Sequence, residues 1–591
     1  MQTIDDLGTY TFPAMLANSL KKFADRPALG FVSGDCITYA EFGARVEETR
    51  ALLYRLGVEK GDRVVILSTS APNWGVSYFA IVTMGAIAVP LLPDFSQKEI
   101  ETCIKHSGAS ILIGSARLLE KVPDPASLGI NRILRIEDFS LSLGAETRTG
   151  TPGEIRIEEE DTASIIYTSG TTGRSKGVEL SHKNLVFTAI GGQFFQRINK
   201  IDVALSFLPL SHVYEFTIGF LMFFLNGACV RYLEKAPTVS TLLPALKKVR
   251  PTLILSVPII MEKIYKNKIV PTFTSKPAVA KLYAKPFFRK ILHRIAGKSL
   301  KKTFGGRIKF FGIGGSKVDP VVETFLKEAK FPYAIGYGLT ETAPLLAGSG
   351  PKITVPGSVG PAMPGIELKL LDPDPETGIG EVVVKGPNVM KGYYKDPEMT
   401  ASVFTDDGWF RTGDLGVMDK KGVRLSLKGR SKNMILGSSG ENIYPEDIEF
   451  VLNQHPFVAD SLVVEGDNSS LVAIVQLDEE KLAADIAAKA AQGVISQGDA
   501  SANSGFVEQA RQMGAQMGEA VSAAANDAGR ALAYRREQIL NEIKFFVNQN
   551  VNKISRIDRV EFIDKFEKTA SQKIKRYLYN FKKSMHIGSK S

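Results

Sequence analysis

The sequence predicts an α/β protein in two parts: a large N-terminal domain of stacked sheets and helices, and a small α+β C-terminal domain with an Ala-rich helical insertion. Three observations lead there. At 591 residues the chain is too long for one ordinary hydrophobic core. Up to about Ser426, short apolar strands alternate with helical patterns, as largely parallel sheets require. After Lys428 the pattern starts afresh and closes through RVEFID.

RVVIL from Arg63 and SILIG from Ser110 read as strands, and EFGARVEETRALLYRLG from Glu41 reads as a helix. Two uncharged runs resemble membrane spans only at first sight. VSYFAIVTMGAIAVPLLP from Val76 is interrupted by Gly85 and Pro90, and TIGFLMFFL from Thr217 has nine residues. Both are expected as buried helices followed by a turn or strand. In the second part, SLVVEG and SLVAIVQL read as strands. Between Ala483 and Ala533 stand 17 Ala with scattered Gly and Ser, so an insertion over about 482–535 is expected to be helical with Gly-broken ends. It serves as a helical ornament or as a docking surface for a partner.

Cys36, Cys103 and Cys229 lie far apart in sequence and form no C-x-x-C pair. That usage suits a reducing compartment and argues against a metal–thiolate site. MQTIDDLGTY is acidic where a secretion signal is basic and then apolar, so a cytoplasmic location is expected. The formal charge is +10, yet Lys263 to Lys309 contain 14 Lys and Arg and no Asp or Glu, leaving the rest at −4. Leu282, Tyr283, Phe287, Phe288, Ile291, Leu292 and Ile295 are interleaved with these cations. An amphipathic helix on the inner, anionic face of a membrane, a nucleic-acid surface and a plain solvated face all fit the composition. The apolar interleaving favours the membrane, and no nucleic-acid partner is expected.

Residues 168–177 read TSGTTGRSKG, with three Gly, five hydroxyl side chains and two cations. Such a stretch offers backbone N–H groups, hydroxyl donors and charge to a polyanion such as a nucleotide triphosphate, or it is an ordinary turn. The Walker spacing is absent, because Ser175 stands where the second Gly belongs, although Lys176 is in register. Further along come LPLSHVYE at 208, GIGGSKVDP at 312, GYGLTETAP at 336, DGWFRTGDLG at 407, LKGRSKNMILGSSGENIYPEDIE at 427 and KTASQKIKR at 568.

In this order and spacing the motifs resemble the adenylate-forming superfamily over nearly the whole chain. The resemblance implies an N-terminal adenylation domain (1–431) that binds ATP and the acyl group, and a mobile C-terminal domain (432–591). Thr168, Ser169, Gly170, Thr171, Thr172, Gly173 and Lys176 would hold the β- and γ-phosphates, meeting the charge that grows on departing pyrophosphate. Tyr337, between Gly336 and Gly338, would stack on adenine; Thr340 would touch the α-phosphate and Glu341 would bind Mg²⁺. Gly314, Gly315 and Ser316 would line the adenine and acyl pockets. Asp414 would accept both ribose hydroxyls, as a carboxylate can. Arg430 would add a ribose or phosphate contact, and Lys432 would be the hinge. His212 matches the position beside the carboxylate pocket; no proton transfer is assigned to it, because a fatty carboxylate is already ionised at neutral pH. Gly437, Gly440 and Glu441 would flank the pantetheine tunnel. Lys573 would bridge carboxylate and α-phosphate during adenylation, although Gln572 replaces the family's Gly before it.

LPLSHVYE with Glu215, SVPIIMEKIY at 256 and VMKGYYKDPEMTASVFTDDGWFRTGDLG from 389 resemble long-chain fatty acyl-CoA synthetases in particular. The family more often has Arg and an aromatic where Ile259, Ile260 and Met261 stand. The implied reaction joins a long-chain fatty acid to ATP and then to a thiol. Coenzyme A is the expected acceptor, acyl carrier protein the alternative, since both present the same arm. A catalytically silent sensor on the same fold is a further alternative; it would bind ATP without exchanging pyrophosphate. A preference across neighbouring chain lengths is expected, because each buried methylene is worth about 0.8 kcal/mol.

Overall fold

The computed structural model describes residues 2–169, 175–436, 441–467, 470–491, 535–569 and 573–579, with only the backbone described at Ser169 and over 486–491. The chain divides into two compact units, Met1–Leu427 and Lys428–Ser591.

In the first unit one eight-stranded sheet runs in the order Ala347–Gly348, Tyr333–Tyr337, Phe310–Ile313, Leu253–Ser256, Val203–Ser206, Cys229–Tyr232, Pro27–Phe31 and Cys36–Thr38. Every pairing from Tyr333–Tyr337 to Pro27–Phe31 is parallel, and the two edge pairings are antiparallel. A second eight-stranded sheet orders Gly392–Tyr393, Ser175–Ser181, Thr162–Ser169, Ile87–Pro90, Arg63–Leu67, Ile111–Gly114, Arg132–Arg135 and Leu141–Leu143. The strands expected at RVVIL and SILIG lie at its centre, and parallel strands buried on both faces read as continuous apolar runs.

The helices fill the space against these sheets. Tyr39–Arg55 begins at Thr38, whose hydroxyl accepts from the Glu41 N–H while Glu41 reaches back to the Thr38 N–H, a reciprocal cap. Pro72–Thr83 is buried from Trp74 onward and leads into the Ile87–Pro90 strand, so the run from Val76 is core. The run from Thr217 lies in a π-helical segment, Glu215–Leu221, continued by helix Met222–Leu225, every residue buried. Among the described residues no helix is long and apolar enough to cross a membrane. A four-stranded sheet, Glu367–Leu371, Gly380–Lys385, Phe410–Met418 and Leu425–Arg430, completes the first unit, its last strand crossing the unit boundary.

The second unit packs Val458–Glu465, Leu471–Leu477 and Arg559–Phe562 into one sheet, with helix Pro445–Gln454 and the helix over 535–550 on its apolar side. Of the Ala-rich insertion, helix Glu479–Ala491 is described and 492–534 lie outside the described residues.

One expectation is corrected. The basic segment 263–309 is not one amphipathic helix. Pro277 and Pro286 each stand at a helix start, dividing it into a continuous helical run made of Pro258–Ile264, Tyr265–Ile269 and Val270–Thr274, then Pro277–Tyr283 and Pro286–Thr303. The cysteines, far apart in sequence, are not all apart in space: Cys36 and Cys229 touch.

Candidate active site

Several expected site residues of the first unit stand at the carboxyl ends of parallel strands, where open α/β sheets place their ligands. Tyr333–Tyr337 delivers Gly336 and Tyr337, and Phe310–Ile313 leads into Gly314, Gly315 and Ser316. The loop after Val203–Ser206 brings His212. Gly314 donates its N–H to the Ser256 carbonyl at 3.2 Å. A Cβ on Gly314 would lie 3.0 Å from the Tyr214 ring, so the absent side chain leaves room for that ring. Gly315 has φ +91°, a conformation that disfavours any side chain. Ser316 is exposed.

Gly338 is under the tightest constraint. A Cβ there would stand 1.6 Å from the Pro344 carbonyl oxygen, so no other residue fits unless the backbone moves. This contact folds the chain after Tyr337 into the short 3₁₀ segment Thr340–Thr342, which holds Thr340 and Glu341 half-buried.

Tyr337 Oη donates to Asp414 Oδ2 at 2.9 Å, and both residues are buried. The approach of Asp414 is fixed by its own loop. Thr412 Oγ1 donates to the Val382 carbonyl at 2.8 Å and accepts from the Asp414 N–H at 3.1 Å, and Gly413 N–H donates to Glu381 Oε1 at 3.1 Å. The expected adenine and ribose groups are therefore in contact.

A second cluster joins the hairpin Thr162–Ser169 and Ser175–Ser181, in which Thr168 faces Lys176 and Ser169 faces Ser175. Gly170, Thr171, Thr172 and Gly173 lie outside the described residues. Lys176 Nζ stands 4.9 Å from the centre of the Tyr393 ring, and Tyr393 Oη donates to Glu341 Oε1 at 2.9 Å. Tyr393 is held by pairing with Val178, next to Gly392 with Glu179. Met390 N–H donates to the Glu341 carbonyl at 2.9 Å, and Asn388 Nδ2 donates to the Thr342 and Leu345 carbonyls at 3.0 and 2.8 Å. Residues 388–393 thus tie the phosphate hairpin to the Thr340–Glu341 turn. Tyr393 and Asn388 were not singled out from the sequence; the stretch VMKGYY was the signal that could have led to Tyr393.

His212 Nδ1 accepts from the Tyr214 N–H at 3.2 Å, so in the neutral ring Nε2 carries the proton. Near it, Glu215 is buried in the π-helical segment, its carboxyl against Gly219, where a Cβ would lie 2.7 Å from the carboxyl carbon. Burial pushes Glu215 up to about 8, the neighbouring Ser206 hydroxyl opposing the shift. Glu215 Oε2 has no hydrogen-bond partner among the described residues. Glu215 and Gly219 are one helical turn apart, and π-helical turns are frequent at functional sites.

The second unit holds the remaining groups. Arg430 ends the Leu425–Arg430 strand, Lys432 lies exposed in the 3₁₀ segment Ser431–Asn433, and Glu441 precedes the short strand Asn442–Ile443. Gly437 and Gly440 lie outside the described residues. Lys573 is exposed; its N–H donates to Thr569 Oγ1 at 3.1 Å and its carbonyl accepts from the Thr569 N–H at 2.7 Å.

The residues present suit a magnesium ion that arrives with a nucleotide. Among the described residues no group of three or more His, Cys, Asp or Glu could hold a metal by itself. Mg²⁺ in phosphoryl-transfer sites typically takes one or two carboxylates, with phosphates and water completing its shell, and Glu341 offers one hard anionic ligand.

Loop glycines after a parallel strand, a buried aromatic–carboxylate pair and a hairpin that carries a lysine are features of an adenylate-forming ligase. The model of the family described as AMP-binding enzyme matches residues 16–394, and the chain belongs to that family. Among curated proteins, Long-chain-fatty-acid--CoA ligase FadD15 of Mycobacterium tuberculosis is 30% identical over 75% of this chain and 78% of its own length. Long chain acyl-CoA synthetase 6, peroxisomal, of Arabidopsis thaliana is 31% identical over 76% of this chain and 69% of its own. Among solved structures, ATP-bound MatB from Rhodopseudomonas palustris superimposes with a TM-score of 0.70 at 25% identity, covering 95% of this chain and 97% of that one. The anthranilate CoA ligase AuaEII in complex with anthranoyl-AMP shares the fold, with a TM-score of 0.73 at 20% identity over 98% of each chain.

Proposed function

We propose that this ligase condenses a long-chain fatty acid with ATP to acyl-AMP and pyrophosphate, then transfers the acyl group to coenzyme A and releases AMP. The observation that carries the reading is the joining of the Tyr337–Asp414 pair and the Lys176–Tyr393–Glu341 cluster by one turn, which brings the groups expected to meet base, sugar and phosphate onto a single short path. The names of the curated relatives support the fatty acid and coenzyme A. The ionised fatty carboxylate attacks the α-phosphorus, and the P–O bond to pyrophosphate breaks. Thr168 and Lys176 meet the charge that develops on the leaving group, and Lys573 draws two anions together that otherwise repel. Glu341 would hold a magnesium ion arriving with the nucleotide, which would supply further charge neutralisation. In the second half-reaction the thiolate of coenzyme A attacks the acyl carbonyl and AMP leaves; Glu441 belongs to the stretch expected to receive the pantetheine arm. The test is fatty-acid-dependent exchange of labelled pyrophosphate into ATP, followed by comparison of coenzyme A and acyl carrier protein as acceptors. ADP as the product, or ATP binding without exchange, overturns the reading.

We further propose that the 263–309 segment rests on anionic membrane, where the substrate dissolves. Phe287, Phe288, Ile291 and Ile295 are exposed on the Pro286–Thr303 helix, with Lys285, Lys290 and Arg294 beside them in sequence. Each basic residue near an anionic surface contributes about 1 kcal/mol. Liposome co-sedimentation checks it: binding to anionic vesicles, released by salt, is expected, and equal binding to neutral vesicles would exclude the electrostatic part.

A further inference from the structure

Away from the nucleotide-side groups, the first unit holds two thiols in contact. Cys36 Sγ and Cys229 Sγ are 3.1 Å apart, although 193 residues separate them in sequence, and both cysteines are free and part-exposed. The sheet explains how they meet. Cys36 opens the edge strand Cys36–Thr38 opposite Gly30, and Cys229 opens a strand on the other side of Pro27–Phe31. A Cβ on Gly30 would lie 2.9 Å from Cys36 Sγ, so the missing side chain is what lets that sulfur cross the intervening strand. Arg231 Nη1 donates to Cys36 Sγ at 2.8 Å, and the guanidinium is anchored by Nη2 on the Gly34 carbonyl at 2.6 Å.

The two sulfurs line a surface cavity of about 520 Å³ with Arg26, Lys200, Arg231 and Lys248. Of the two carboxylates there, Asp202 is paired with Lys309 at 2.7 Å, leaving Asp35 against four cations. The cavity therefore favours an anionic visitor.

We propose that Cys36 and Cys229 form a reactive dithiol site, oxidised to an intrachain disulfide by small anionic disulfides, with Cys36 as the attacking and Cys229 as the resolving thiol. Cys36 as thiolate attacks one sulfur of the visiting disulfide; that S–S bond breaks, and the departing thiolate takes a proton from solvent. Cys229 loses its proton to solvent and attacks the Cys36 sulfur, expelling the second thiolate. Two protein thiols are oxidised and one external disulfide is reduced to two thiols. The roles follow from the surroundings. Donation from Cys229 and the Arg231 guanidinium hold Cys36 below the ordinary thiol range against its burial, while the Cys36 sulfur and burial push Cys229 up. The sulfurs must close by about 1 Å to a bond of about 2.05 Å, and because a strand lies between the two cysteines the flanking backbone must draw in with them.

Oxidised glutathione is the probe, applied to the full chain and read by intact mass and peptide mapping. The wild type should become two hydrogens lighter, with one cross-linked pair of peptides carrying positions 36 and 229. Cys229→Ser should stop with one glutathione on Cys36, and Cys36→Ser should react about tenfold more slowly. An uncharged disulfide of similar size should react more slowly than oxidised glutathione with the wild type. No reaction, a glutathione that persists on wild-type Cys36, modification confined to Cys103, or equal rates for wild type and Cys36→Ser would each overturn the assignment. Equal rates with the uncharged disulfide would overturn its anionic preference. None of these readouts depends on ligase activity, so failure here leaves the proposed reaction standing.

Discussion

The groups proposed for the site stand in different settings in the two units. In the first unit Tyr337 holds Asp414, Tyr393 holds Glu341, and Gly338 can be nothing but glycine. In the second, Lys432 and Lys573 are exposed and sit on a single 3₁₀ turn and a one-residue bridge beside Ile574. The first arrangement fixes two carboxylates before a ligand arrives, which is how electrostatic stabilisation avoids reorganisation during reaction. The second presents charge at the surface of short elements.

The sharpest way to break this contrast is Lys573→Ala. We expect acyl-AMP formation to fall by a factor of about 10²–10³, while thioester formation from supplied acyl-AMP is spared. Lys575→Ala should change neither. Equal slowing of both half-reactions would make Lys573 a support for its unit rather than a group that acts on one step. Glu341→Gln comes next: adenylation should drop by about 10²-fold, more at limiting Mg²⁺, with the melting temperature unchanged. Wild-type turnover at limiting Mg²⁺ would remove Glu341 from the site.

Tyr393→Phe probes fixation alone. It deletes one hydrogen bond to a carboxylate and keeps the ring beside Lys176, so a loss of about 1.5–3 kcal/mol in kcat/KM is the upper range. The smallest effect concerns Glu215. Its folded pKa is raised to about 8 from an ordinary 4.5, so the folded chain holds a proton that the unfolded chain has released between those values. Stability from this group is present below about pH 4.5 and declines as pH rises toward 8. Glu215→Gln should flatten that decline and gain about 1–3 kcal/mol over wild type at pH 8; parallel melting curves against pH would show that the carboxyl is not the titrating group.

The fold was readable wherever a local pattern determines it. RVVIL and SILIG are apolar on both faces because parallel strands are buried on both faces, and the Tyr39–Arg55 helix announces itself by Thr38 and Glu41. Pairings between distant segments were not readable. Tyr393 reaches Lys176 and Cys36 reaches Cys229 only because strands remote in sequence become neighbours in a sheet, and no periodicity encodes which strand lies beside which. Composition likewise identified the cations of 263–309 but not the two breaks at Pro277 and Pro286 that divide its helices.

The pairing of Ser175–Ser181 with Gly392–Tyr393 has a consequence for synthesis. The Thr162–Ser169 hairpin strand finds its partner at once, yet the outer edge of Ser175–Ser181 is covered only by residues translated roughly 200 positions later. At about 5–20 residues per second, that edge stands unpaired on the ribosome for roughly 10–40 s. An open edge of this kind is a template for pairing with another chain. Nascent chains of this ligase are therefore expected to be most prone to aggregation while their length lies between these two strands, and to lose that tendency once Tyr393 has left the exit tunnel.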